Sequence, residues 1–220
     1  MTPELLAADP EWPYSKAKTA VLAAAAGVIR ERGPRSATLK NIANRVGITE
    51  PAIFRHFEGV DGLFAGLFHT VERVYMRIGR GYDDSLAGWE RLKSATISMV
   101  DILADGKDLA YVIIYARQIF GGYPDLRERL NELDAADQEH FLSCIVDAVE
   151  KKEMRSDLSP ETISTTIFGM IYMTTAVWIT SGFAFDLKAV VRSRMDEMEK
   201  VFLLPGKEKK TSTRRKAKAS

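Results

Sequence analysis

Apolar residues return every three or four positions along most of this chain, which is the period of an amphipathic helix. Ala17, Val21, Ala24 and Val28 make one such stripe in a first helix over residues 15–32, which Gly33-Pro34 stops. Phe64, Leu67, Val71, Val74 and Ile78 mark the buried face of a long helix over residues 60–81. Further helical periods cover residues 86–103, 108–120, 124–153, 160–182 and 186–203. No segment joins strand period to hairpin turn chemistry, and the β-rich run 112–115 sits inside a helical period. The fold class read from this pattern is all-α.

Between the first helix and the long one lies TLKNIANRVGITEPAIFRHFEGVDGLF, residues 38–64. Thr38 is placed to cap a short helix, Leu39–Val46. Gly47 supplies a turn conformation that a side chain would oppose. Thr49 is placed to cap a third helix, with Pro51 in its first turn, where a missing N–H does no harm. Ala43, four positions before Gly47, and the apolar Ile42, Val46, Ile48 and Ile53 surround the turn. This is the layout of a helix-turn-helix, whose second helix enters a major groove.

Residues 163–180 carry no charge, a length that touches the threshold for a membrane span. Six hydroxyl residues within it and the lack of a flanking basic cluster argue for burial on both faces, in a core or a dimer interface. The last helix carries Val191, Met195, Met198 and Phe202 on one stripe. These residues, with Ile167 and Ile171, are the expected contacts of a four-helix homodimer interface. No membrane partner is expected.

Composition narrows the picture without reshaping it. Of 220 residues, 46% are hydrophobic and 28% charged, ordinary for a globular protein. The lone cysteine, Cys144, forbids an intramolecular disulfide and fits a reducing, cytoplasmic setting. The start of the chain lacks a secretory signal pattern. Net charge is +1, yet residues 14–64 carry +4, residues 207–220 carry +6, and the remainder −9. Attraction to phosphate is therefore concentrated in the helix-turn-helix region and the tail. Four parts are expected: a loose arm (1–13), a DNA-binding domain (14–64), a helical regulatory domain (65–204) and a basic disordered tail (205–220).

These residues together resemble the TetR/AcrR family of bacterial transcription regulators. The resemblance is carried by Gly33, Thr38 to Ala43, Val46 to Thr49, Ile53 to Phe57, and Leu63-Phe64. It is strong over residues 15–65 and continues in outline at Gly122 to Leu126 and Asp157 to Glu161. It implies an all-helical homodimer with three N-terminal DNA-binding helices. A helical C-terminal domain would hold a small-molecule pocket and the dimer contact. The family usually has Tyr at the position of Phe54 and Lys at that of Val60, both phosphate contacts. Arg55, Lys40, Arg45 and the basic tail are the candidates to compensate.

The expected DNA contacts are Thr38, Lys40, Thr49, Glu50, Pro51, Ala52, Phe54, Arg55 and His56. Thr38 and Lys40, beside free helix N–H groups, suit one phosphate. Glu50 can accept from a cytosine amino group, or simply favour the helix N-terminus. Ala52 can meet a thymine methyl, and Arg55 a guanine or a phosphate. His56 falls where an imidazole N–H reaches a phosphate, and no nucleophile or orienting acid accompanies it. His69 and His140 lack metal-ligand partners at helical spacing, so no metal, cofactor or catalytic residue is expected. Cys144, on an apolar helix, reads as a buried inert thiol.

Aromatic and flexible apolar residues offer a pocket for an apolar or amphipathic effector. The candidates are Trp89, Met99, Tyr111, Tyr115, Phe120, Phe141, Tyr172 and Trp178, with Phe168 and Met173 beside them; each equally fills an ordinary core. The function implied is a cytoplasmic, nucleoid-associated transcriptional regulator. It would bind a near-palindromic duplex operator as a homodimer and be released by a small molecule. A DNA-binding scaffold or nucleoid-associated protein without an effector is the alternative, and a core with no ligand-sized cavity would favour it.

Overall fold

The computed structural model describes residues 12–80, 83 and 85–205. The arm before residue 12 and the basic tail after residue 205 lie outside the described residues. Helices follow in the order α1 (Lys16–Arg32), α2 (Leu39–Val46), α3 (Glu50–Phe54), α4 (Gly59–Arg80) and α5 (Gly88–Asp105). They continue with α6 (Lys107–Ile114), α7 (Ala116–Ile119), α8 (Pro124–Glu150), α9 (Pro160–Thr180) and α10 (Leu187–Phe202). Among the described residues there is no strand, only an isolated antiparallel bridge between Met154 and Leu203.

Local chemistry sets the helix ends. Ser15, Thr38, Ser159 and Asp186 each accept a backbone N–H three residues on, capping α1, α2, α9 and α10. Thr49 takes the extended N-cap conformation before α3, but its hydroxyl makes no capping bond. The helix expected over residues 108–120 is two helices. Tyr115 leaves the helical region at φ −104°, ψ 16°, and the chain restarts at Ala116. The expected stripe of α1 is also wider than its period suggested. Ala17 is exposed, whereas every residue from Ala24 to Ile29 is buried. A run of small residues lets neighbours close over α1 on several sides, and the Arg45 guanidinium lies directly over Gly27.

One core runs from the N-terminal helices into the rest of the chain. Val21, Leu22 and Ile29 of α1 pack in one cluster with Ile42, Ile53 and the α4 stripe. Leu109, Val112, Phe120 and Leu130 belong to that same cluster. The expected boundary after residue 64 is thus no break in packing, because α4 passes straight through it. Trp12, expected in the loose arm, meets the same surface. The Trp12 indole Nε1 donates to Thr19 Oγ1 at 2.7 Å, and its ring meets Tyr14 edge-on. A second cluster, centred on Trp89, Phe141, Ile145, Ile167 and Val191, joins α5, α8, α9 and α10.

Helix α9 is long and apolar enough to cross a membrane by length and composition alone. One face, carrying Ile163, Ile167, Ile171 and Trp178, is buried in the chain's own core. Four of its six threonines satisfy their hydroxyls within the helix. Thr166, Thr174, Thr175 and Thr180 each donate to the carbonyl four residues back.

Candidate nucleic-acid interface and effector cavity

The turn between α2 and α3 is built as the sequence implied. Gly47 sits in the left-handed region at φ 80°, ψ 32°. Its N–H and that of Ile48 both donate to the Ala43 carbonyl, at 2.9 and 3.1 Å. Ile42, Ala43 and Ile53 are buried around the turn. The Asn41 amide donates to the Ser36 carbonyl at 2.9 Å, tying α2 back to the preceding loop.

Thr38 and Lys40 at the start of α2 are exposed, as are Thr49, Glu50 and Pro51 at the start of α3. Ala52 and His56 are half-buried, and Arg55 is exposed. Helix α3 is shorter than expected. Ile53 accepts from both His56 and Phe57 N–H, at 2.8 and 3.0 Å, and the chain turns away. His56 therefore lies beyond the helix rather than on it. Two exposed apolar side chains stand out on this unit, Phe54 at 57% and Val60 at 39%.

Arg45 does not stand ready for phosphate as its sequence position suggested. Its guanidinium makes a two-armed pair with Glu31, at 2.7 and 3.0 Å. That pair holds the Glu31 carboxyl below its usual range and raises Arg45. Arg30 is engaged as well, bridging Glu31 at 2.9 Å and pairing with Asp108 at the start of α6. Arg30 and Lys107 both lie over the Phe183 ring, 5.8 and 4.9 Å from its centroid. Helix α1 is thereby tied to the C-terminal helices by charge as well as by the shared core.

A cavity of about 430 Å³ lies between α4 and the helices α5 to α9. Ile78, Met99, Leu103, Ile113, Ile114 and Ile171 make an apolar wall, and Tyr75, Tyr115, Phe168 and Tyr172 add aromatic faces. Arg117, Gln118, Asp134, Asp137, Gln138 and Thr175 supply the polar part. The Tyr75 phenol donates to Asp134 Oδ1 at 2.8 Å, and Arg117 donates to Asp134 Oδ2 at 2.7 Å. Burial, and then the Asp134 carboxylate, push the Tyr75 phenol far above its usual range. Burial also raises Tyr115, helped by Tyr111 and Tyr172.

Of the residues expected in a pocket, Met99, Tyr115 and Tyr172 line this cavity, with Phe168. Tyr111 does not line it but packs on Tyr115, with ring centroids 4.7 Å apart. Trp89, Phe120, Phe141 and Trp178 are core instead, each no more than 3% exposed. Trp89 donates to Glu199 at 3.2 Å. Phe120 meets Phe64 and Phe68 edge-on, Phe141 meets Phe168, and Trp178 meets Phe183. Met173 is exposed at 58%. Tyr75, Asp134 and Asp137 were missed. Tyr75 lies four residues after Val71 and three before Ile78, on the stripe already marked, so its spacing was available as a signal. The acids carried none, because carboxylates on a long helix usually face water.

The expected dimer contacts also need correction. Ile167, Ile171, Val191, Met195 and Phe202 are buried inside the single chain, and Met198 is half-buried. The five buried ones pack α9 and α10 onto α5 and α8 and leave a partner no surface, while Met198 keeps part of its surface. The opposite side of α9 is uncharged and open, with Gly169, Tyr172, Met173 and Val177 exposed.

Among the described residues no cluster of His, Cys, Asp or Glu is placed to hold a metal ion. His140 Nε2 lies 3.8 Å from Cys144 Sγ, and burial raises the Cys144 thiol.

Residues 21–67 match the family described as bacterial regulatory proteins, tetR family. The chain is 21% identical over 177 residues to the fatty acid metabolism regulator protein of Bacillus subtilis, covering 80% of this chain and 90% of that one. It is 24% identical over 180 residues to the transcriptional repressor BepR of Brucella suis, covering 79% and 85%. Its fold is similar to the crystal structure of the regulator FadR from Bacillus subtilis in complex with stearoyl-CoA. The TM-score is 0.64 at 22% identity, over 81% of this chain and 96% of that one. With an all-helical fold, a helix-turn-helix at its N-terminal end that matches the tetR family over residues 21–67, and this pattern of likeness, the chain is a DNA-binding transcriptional regulator similar to the tetR family of bacterial regulatory proteins.

Proposed function

We propose that this regulator binds a near-palindromic operator as a homodimer and is released when a small apolar or amphipathic molecule fills the cavity beside α4. The cavity carries the reading: it has ligand size, and α4, which supplies Tyr75 and Ile78 to its wall, begins at the α3 turn. The same feature speaks against a scaffold that senses nothing. Thr38, Lys40, Thr49, Glu50, Pro51, Ala52, Phe54, Arg55 and His56 are the proposed DNA contacts. Phosphate is held at the start of α2, and bases are read from the start of α3.

A filled cavity moves α4, and through it the spacing of two readers that must match one DNA turn. The partner is a second copy, seated on the exposed face of α9 around Gly169, Tyr172, Met173 and Val177. No enzymatic step is assigned. The protein would act in the cytoplasm, at the nucleoid. One relative is named for fatty acid metabolism and a solved neighbour holds stearoyl-CoA, so long-chain acyl thioesters are the first effectors to try. The test selects operator sequences from a random DNA pool, then titrates the complex with acyl-CoAs in fluorescence anisotropy. Release that saturates supports the reading. Unchanged operator affinity across the acyl-CoAs and a broad set of apolar amphiphiles would refute sensing.

A further inference from the structure

Two cations of the N-terminal helices are engaged by acids, Arg45 by Glu31 and Arg30 by Asp108. Lys18, in the first turn of α1, is held differently. Its ammonium lies 4.3 Å from the centroid of the Tyr14 ring and 4.9 Å from that of Phe57. Among the described residues no carboxylate pairs with it. We propose that Lys18 is a DNA-phosphate contact outside the helix-turn-helix, at the edge where the reader joins α4. This rests on operator binding and adds a residue to the proposed contacts; it does not depend on an effector.

The two rings are themselves fixed. Phe57 is 4% exposed, and its ring lies so close to Gly66 of α4 that a side chain there would meet it at 2.9 Å. Tyr14 meets Trp12 edge-on at 5.1 Å and the His69 ring of α4 at 5.3 Å, while Trp12 is bonded to Thr19. The lysine thus sits on a platform shared by α1, the α3–α4 link and α4. A ring face attracts a cation without neutralising it. The N–H groups of the ammonium that point away from the rings stay able to donate to an anion. A side chain already held in place also has less rotamer freedom to lose on meeting DNA than a loose surface lysine has.

Phe57 sets the place of this charge. It lies in the link between Phe54, the last residue of α3, and Gly59, the first of α4. The exposed side chains on either side of the link, Phe54 and Val60, bring no charge to it. Two acids lie close in sequence. Asp61 is engaged by the Tyr123 phenol before α8. Glu58 is exposed and opposes a phosphate. Arg55 and Lys18 together outweigh it, so the edge beside the reader is cationic only with Lys18 in place.

The experiment starts from the unaltered full chain and an operator selected from a random DNA pool. Reductive methylation followed by peptide mass spectrometry reads which lysines the DNA shields, and needs no variant. Lys18 and Lys40 should be shielded, while Lys200, in the last turn of α10, should react equally with and without DNA. Lys18→Met keeps an apolar stem over the rings and removes the charge. It should weaken operator binding roughly tenfold, the scale of a hydrogen bond to a charged group, and shallow the salt slope by roughly one per bound copy. Lys18→Arg should restore the slope. A change that merely loosens α1 lowers the melting temperature and leaves the slope alone. A methylphosphonate placed at each operator phosphate in turn should find a position that weakens the unaltered protein but not Lys18→Met. Shielding of Lys40 without Lys18, an unchanged slope in a folded Lys18→Met, or the same methylphosphonate profile in both proteins overturns the contact and leaves the reader as assigned. Failure of the unaltered protein to select any DNA overturns the operator reading with it.

Discussion

Val177→Glu tests which face of α9 meets the second copy. In one chain Val177 is 47% exposed, beside Met173 at 58% and Tyr172 at 44%. Covering these three in both copies removes on the order of 500 Å² of largely apolar surface, about 12 kcal/mol at ~25 cal/mol per Å². Association itself costs roughly 4–15 kcal/mol, so this patch decides whether the dimer holds. A carboxylate sealed in an apolar contact costs several kcal/mol. Twofold symmetry applies that cost twice. The dissociation constant should then rise by roughly three to four powers of ten. Within the single chain the new side chain reaches water, and Glu is a better helix former than Val. Sedimentation equilibrium should show a folded monomer, helical by circular dichroism, that binds a full operator no better than a half-site. Ile167→Glu is the contrast: that position is fully buried in the chain's own core, so the variant should unfold. A Val177→Glu protein that stays dimeric at sub-micromolar concentration would refute the assignment of this face.

Three further outcomes follow from the reader. Gly47→Ala forces a side chain into the left-handed conformation and should destabilise the protein by about 1–2 kcal/mol in urea unfolding, although no neighbour obstructs the new methyl. Lys40→Ala should weaken operator binding evenly across sequences and shallow the salt slope by roughly one, whereas Arg45→Ala, whose guanidinium is held by Glu31, should leave the slope unchanged. Arg45 holds the Glu31 carboxyl below its unfolded value, so the pair stabilises above the ordinary Glu range and is lost as pH falls through the lowered folded value. The pair is more than a third exposed, which limits the effect to under about 1 kcal/mol. Melting temperatures from neutral to acid pH should fall less steeply in Glu31→Gln.

The sequence by itself determined the all-helical class, the helix-turn-helix, and nearly every helix boundary from α1 to α4. Those features are local: a 3.6-residue apolar period, a capping Thr38, a Gly47 that alone accepts the turn at no cost. Gly33-Pro34 ended α1 for the same kind of reason. The buried stripe of α4 was legible because one face of one helix meets one core.

Only the tertiary structure decided which apolar residues line a cavity, which fill a core and which stay exposed. Trp89, Phe120, Phe141 and Trp178 are chemically as apt for a pocket as Tyr115 and Tyr172, but helix packing closes over the first four and leaves space at the other two. Helix α9 is apolar nearly all round, so its composition could not say which side the chain buries; α5, α8 and α10 took the Ile167 and Ile171 side and left Met173 and Val177 outside. Charge was no more readable. Arg45 and Glu31 are 14 residues apart, and their pairing depends on how α2 crosses α1. Side-chain identity and period fix what a residue can do locally; whether a residue faces space, core or another charge is settled by how distant helices meet.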